Sequence, residues 1–177
     1  LECSGHRREE DVLPQLTAEL EQSISLNCQA ASDVGLFLSG GLDSSIILSV
    51  ASKRRSHMPL LSLDMGAAEE LTAAQLVAEH FHCNVTPVPL SENERMVEHL
   101  MAAMDQPTGA RDALATFTLA RALQEKFPSA KAVLTGAGAD ELFSGYRSSY
   151  FAPLKKKDMR SSLENMLMNY ATIHKSR

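Results

Sequence analysis

Apolar and polar positions along the chain follow two alternating rhythms. Short, dense apolar runs at residues 34–38, 60–64, 84–88 and 132–135 are bounded by Asp, Asn, Pro, Ser or Gly. Their length and flanks predict buried strands. Pro59 opens the second run and Pro89 stops the third. Between them lie stretches with helical spacing. Residues 13–30 place Leu13, Leu16, Leu20, Ile24 and Leu26 on or near one side, and residues 69–81 do the same with Leu71, Ala74, Leu76 and Ala78. Further helices are predicted over 43–53, 91–104, 112–127 and 161–172, with a helical start after the fourth strand. Ser91 followed by Glu94 has the spacing of a capping box. Strands alternating with helices predict an α/β fold, an open, mostly parallel sheet with helices on both faces.

Composition narrows the function classes. A chain of 177 residues can bury a real core. A net charge of −5 gives no reason to expect nucleic acid. No apolar run approaches the roughly 20 residues of a membrane span, and the opening "LECSGHRREED" does not read as a signal peptide. Neither nucleic acid nor membrane is therefore expected as a partner. Cys3, Cys28 and Cys83 are far apart and form no CxxC pair, which points away from a disulfide framework or zinc site. A reducing, cytoplasmic setting follows. "HFHC" at 80–83 invites a metal, but two histidines two apart do not share a helix face.

The chemistry concentrates in two loops. The first strand runs into "VGLFLSGGLDSS", residues 34–45. In an open parallel sheet, ligands sit beyond the carboxyl ends of the strands. Gly40 and Gly41 allow a tight turn and close approach, Ser39, Ser44 and Ser45 offer hydroxyls, and the following helix aims its free amides at the loop. That combination suits a phosphate. The lysine of a Walker A loop is missing, and Asp43 stands in the loop instead. A carboxylate beside a phosphate becomes favourable with a magnesium ion between them. The competing reading is a plain turn with Asp43 at a helix start.

The fourth strand ends in "VLTGAGADELFSGYRSSY". Gly136 and Gly138 break the chain and Asp140 and Glu141 follow. Asp140 could share a magnesium ion with Asp43, or both acids could serve only the helix dipole.

These motifs together resemble the asparagine synthetase family within the PP-loop ATP-pyrophosphatase superfamily, whose fold is adenine nucleotide alpha hydrolase-like. "SGGLDSS" resembles the pyrophosphate loop. "GAGADELFSGYR" resembles that family's "GEGADELFGGY"-like segment, and "MDQPTGARDALATFTLAR" resembles its "LDEP" segment and helix. The resemblance implies a division into a helical lead-in over 1–30, a PP-loop nucleotide-binding domain over 31–150 and the start of a helical C-terminal part over 151–177. It implies ATP and Mg2+ as cofactors, with Ser39, Gly40, Gly41, Asp43, Ser44 and Ser45 on the pyrophosphate. Asp43 and Asp140 match the metal ligands. Leu38, Met65, Thr135 and Gly136 match positions around adenine and ribose, where Met65 could equally be core. Asp105 and Glu141 fall toward the acceptor region. The implied reaction adenylates a carboxylate, aspartate in the family, releases pyrophosphate and passes the acyl group to ammonia from glutamine.

Several positions depart from the family pattern. Ala137 stands where the family carries glutamate, and "DEP" is Asp105-Gln106-Pro107, with Ala110 in place of an acidic residue. Arg111 and Asp112 suit either a different acceptor or a solvated helix start. About thirty residues before the first strand cannot hold a glutaminase, so the ammonia source is expected outside this chain. Lys155, Lys156 and Lys157 do not match the family's catalytic lysine, which is expected beyond a fragment or truncated gene model. Two alternatives follow: a related ligase with another acceptor, of the β-lactam or lasso-peptide type, and a non-catalytic nucleotide-binding module.

Overall fold

The computed structural model describes residues 8–29, 31–55, 57–66, 68–90, 94–104, 111–143 and 145. The chain divides into two compact units, Leu1–Gly136 and Ala137–Arg177.

The first unit alternates helix and strand. α1 spans Glu9–Gln29, β1 Val34–Phe37, α2 Leu42–Ala51, β2 Leu60–Asp64, α3 Ala68–His80, β3 Val85–Pro89, α4 Glu94–Ala103, α5 Arg111–Lys126 and β4 Ala132–Leu134. The four strands form one parallel sheet in the order β3-β2-β1-β4. Helices cover both faces. Ile24 and Cys28 of α1, Leu48 and Ala51 of α2, and Ala74 and Ala78 of α3 pack with Leu36, Leu38 and Leu60. Leu119, Ala122 and Leu123 of α5 pack with Leu61 and Val88 on the opposite side. Burial of each such leucine contributes about 2 kcal/mol. The expected α/β architecture is the one observed.

Helix faces are narrower than the sequence spacing suggested. Leu20, Ile24 and Cys28 carry the inward stripe of α1, while Leu13 and Leu26 are exposed, Leu26 at 58%. In α3, Ala74 and Ala78 face the core and Leu76 is 62% exposed. Residues four apart share a face, and one displaced by two does not.

β3 includes Pro87 and Pro89, pairing with Ser62 and Asp64. The Leu90 amide donates to the Asp64 carbonyl at 2.9 Å, so amides of that parity turn toward β2. The proline nitrogens alternate with them and face away, which is the tolerated placement on an edge strand.

"HFHC" closes α3. The Cys83 amide donates to the Ala78 carbonyl and the His82 amide to the Glu79 carbonyl, both at 2.9 Å, with His82 at φ +56°. This is a Schellman closure. The predicted final helix over 161–172, Ser91 and the lysines at 155–157 lie outside the described residues.

In the second unit, α6 spans Ala139–Phe143. Gly138, at φ +93°, precedes it, and its carbonyl accepts the Leu142 amide at 3.2 Å.

Candidate functional site: the β1–α2 loop

The sheet order fixes where a ligand can lie. From β1 the chain moves outward through β2 to β3, then returns to the other side of β1 for β4. β1 and β4 therefore flank a topological switch point, where the connections leaving two neighbouring strands diverge. Residues 38–41 leave β1 there, and Thr135 and Gly136 leave β4.

The loop after β1 is built from the inside. The Leu38 side chain is core, and its amide donates to the Leu61 carbonyl at 2.8 Å. Ser44 is also buried, and its Oγ accepts the Ser39 amide at 3.2 Å and lies 3.0 Å from Ser39 Oγ. Ser39 Oγ accepts the Gly41 amide at 3.2 Å. Ser45 Oγ donates to the Gly41 carbonyl at 2.6 Å. Ser44 thus ties the loop together from within, whereas Ser39 is exposed.

Gly41 is the N-cap of α2 and supplies no side-chain cap. The first hydrogen bond of the helix joins the Ser45 amide to the Gly41 carbonyl at 3.1 Å. The preceding amides of Leu42, Asp43 and Ser44 have no intrahelical acceptor, as at any helix start. Their combined dipole makes this end receptive to an anion.

Two glycines shape the loop's surroundings. Gly40 has φ +77°, and a Cβ there would stand 2.5 Å from the Ala74 nitrogen and 2.7 Å from the Ala73 carbonyl carbon. The loop leans directly on the backbone of α3. On the other side, a Cβ at Gly136 would stand 3.1 Å from Asp43 Cβ and 3.3 Å from the Ser44 nitrogen. The exit of β4 thus passes against the start of α2 because Gly136 has no side chain.

Asp43 is half-buried in the first turn of α2. Its carboxylate has no hydrogen-bond or ion-pair partner among the described residues. An acceptor-only group in that state, beside helix-start amides without an intrahelical acceptor, fits a hard cation shared with an anion.

Met65 follows β2 and is 51% exposed, so it is not part of the core. Thr135 is exposed at the exit of β4. Asp140 is half-buried in the first turn of α6, in the second unit, and Glu141 beside it is exposed. A side chain at Gly145 would collide with the Asp140 carboxylate. Asp105 lies outside the described residues. The first unit therefore brings Leu38, Ser39, Gly40, Gly41, Asp43, Ser44, Ser45 and Gly136 together, with Met65 at the neighbouring strand end. Sequence reasoning passed over Ala73 and Ala74 as a wall for Gly40. It also passed over Asp64, although an aspartate two residues before a glycine is a turn signal.

Fold and loop together define an open parallel α/β domain with an anion-receptive helix start at its switch point. The family described as asparagine synthase matches residues 15–176, and the chain belongs to that family. It is similar to asparagine synthetase [glutamine-hydrolyzing] 1 of Bacillus subtilis (strain 168), 29% identical over 177 residues, covering 93% of this chain and 27% of the relative. It is also similar to a putative asparagine synthetase [glutamine-hydrolyzing] of Mycobacterium tuberculosis (strain CDC 1551 / Oshkosh), 31% identical, covering 79% and 22%. A probable asparagine synthetase [glutamine-hydrolyzing] of Dictyostelium discoideum is 29% identical, with 83% and 29% covered. The chain thus spans less than a third of the length of these relatives. Among solved structures it is similar to NMN synthetase from Francisella tularensis, with a TM-score of 0.46 at 17% identity, covering 75% of this chain and 58% of that one. Among the described residues, no helix is long and apolar enough to cross a membrane.

Proposed function

We propose that this chain is the ATP-binding, carboxylate-activating part of an amide ligase. The observation that carries the reading is the uncapped start of α2 at the switch point, with Asp43 in its first turn unpartnered among the described residues and the exit of β4 packed against it at Gly136. The amides of residues 42–44 and the Ser39 hydroxyl would hold the pyrophosphate portion of ATP, and Leu38, Met65 and Thr135 would border the nucleoside.

Asp43 is the magnesium ligand this reading assigns within the first unit, and the resemblance assigns Asp140 of the second unit the same role. Magnesium held by Asp43 would screen the phosphates from that carboxylate and stabilise the charge on departing pyrophosphate. A substrate carboxylate oxygen attacks the α-phosphorus, and the bond from that phosphorus to the bridging oxygen breaks. Ammonia then attacks the acyl carbon, a proton is lost and AMP leaves, giving the amide. Family membership and the names of the relatives support aspartate as the carboxylate and glutamine as the nitrogen source. Ala137, where the family carries glutamate, favours a second reading in which adenylation is kept and the acceptor differs.

Calorimetric titration with ATP and magnesium tests the reading, with Asp43→Ala and Asp140→Ala alongside. Binding by the parent and its loss in both variants is expected. A folded parent that binds no ATP would overturn it. Pyrophosphate release measured across a panel of carboxylates then separates aspartate from other substrates.

A further inference from the structure

The exit of β2 carries a turn that the phosphate loop does not explain. Asp64 is the last residue of β2, and its Oδ1 accepts the Gly66 amide at 2.9 Å. Its carbonyl accepts the Leu90 amide, also at 2.9 Å, which ties the same residue to β3. Gly66 has φ +77°, and a Cβ there would meet nothing within 4 Å, so it is the backbone conformation that calls for glycine. Met65 sits between two anchored residues and turns an apolar side chain to solvent beside the strand that bears the phosphate loop. An exposed, polarisable side chain held this way suits the flat face of a base.

We propose that Asp64 is a positioning residue of the nucleotide site: its carboxylate fixes the Asp64–Gly66 turn and thereby holds Met65 where the base lies. The proposal rests on the ATP-binding reading above. The phosphate loop itself does not depend on this turn. It leans on α3 at Ala73 and Ala74, and α3 is fixed by Ala74 and Ala78 in the core. Loss of the carboxylate should therefore affect recognition of the nucleoside and spare the phosphates.

Tripolyphosphate carries the phosphate chain of ATP without ribose or base, so it separates the two effects. The full chain, Asp64→Ala and Asp64→Asn are titrated with ATP and with tripolyphosphate, each with magnesium. Asp64→Ala is expected to weaken ATP binding about tenfold, or roughly 1.4 kcal/mol, with tripolyphosphate binding unchanged. Asp64→Asn keeps an oxygen that can accept the Gly66 amide, so it should restore most of the ATP affinity. Unchanged ATP binding in Asp64→Ala would overturn the proposal, as would equal loss of both ligands or failure of Asn to rescue. A parent that binds tripolyphosphate but not ATP, or neither, would overturn the ATP reading itself and the role of Asp64 with it.

Discussion

Gly136 and Asp43 meet at the carboxyl edge of the sheet with no room for a side chain between them: a Cβ on Gly136 would lie 3.1 Å from the Cβ of Asp43. The residues are far apart in sequence and belong to the exits of adjacent strands. Gly136→Ala should push on the first turn of α2. The expected result is a stability loss of about 1 kcal/mol and ATP binding weakened by about tenfold, which is about 1.4 kcal/mol. Urea denaturation and calorimetry read the two effects separately.

Gly40 and Gly66 form a natural comparison, since both have φ +77°. Alanine at Gly66 meets only the conformational penalty, about 1 kcal/mol. Alanine at Gly40 must also displace the α3 backbone, for a total of about 2–4 kcal/mol. Denaturation midpoints of the two variants should differ accordingly, and equal losses would show that the loop does not lean on α3.

Arg55 closes the end of α1. It donates to the carbonyls of Cys28 at 2.5 Å and Ala31 at 2.7 Å, and also to that of Ser32. A guanidinium satisfies several carbonyls at a helix end and complements the dipole there. Arg55→Ala should lower stability by about 2 kcal/mol, since bonds from a charged donor contribute more than neutral ones. Arg55→Lys should recover only part of that, because an ammonium lacks the fork geometry.

Cys28 lies in the core below this clasp. Burial pushes its thiol above the ordinary value, opposed by the nearby charges of Arg55 and then Arg54. The folded chain therefore keeps its proton to higher pH than the unfolded chain. This stabilisation is complete below the ordinary thiol range and is lost as pH rises through the folded-state value. Denaturation followed from neutral to alkaline pH should show falling stability, and Cys28→Ala should flatten that slope. An identical slope in the variant would remove Cys28 as its source.

Local signals in the sequence carried much of the architecture. Strand runs such as 60–64 combine apolar density with flanking breakers, and strand–helix alternation leaves few topologies. The β1–α2 loop could be singled out as a candidate anion site for the same reason, as its glycines, serines and aspartate fall within seven residues. What escaped was set by partners distant along the chain. Leu26 and Leu76 look like face residues until the angle of packing is fixed. Nothing near Gly40 in the sequence announces Ala73. Pro89 reads as a strand terminator until β3 proves to be an edge, where a missing donor is tolerated.

That edge has a consequence for how chains meet. Backbone parity turns Val85, Pro87 and Pro89 outward, and of these only Val85 keeps an N–H. A strand from another molecule arriving along β3 would find carbonyls to donate to but almost nothing to accept from, so alternate rungs of a new ladder could not close. The two prolines thereby discourage sheet-to-sheet recruitment on this side, guarding a thin parallel sheet against the aggregation that an exposed strand of the same length would invite.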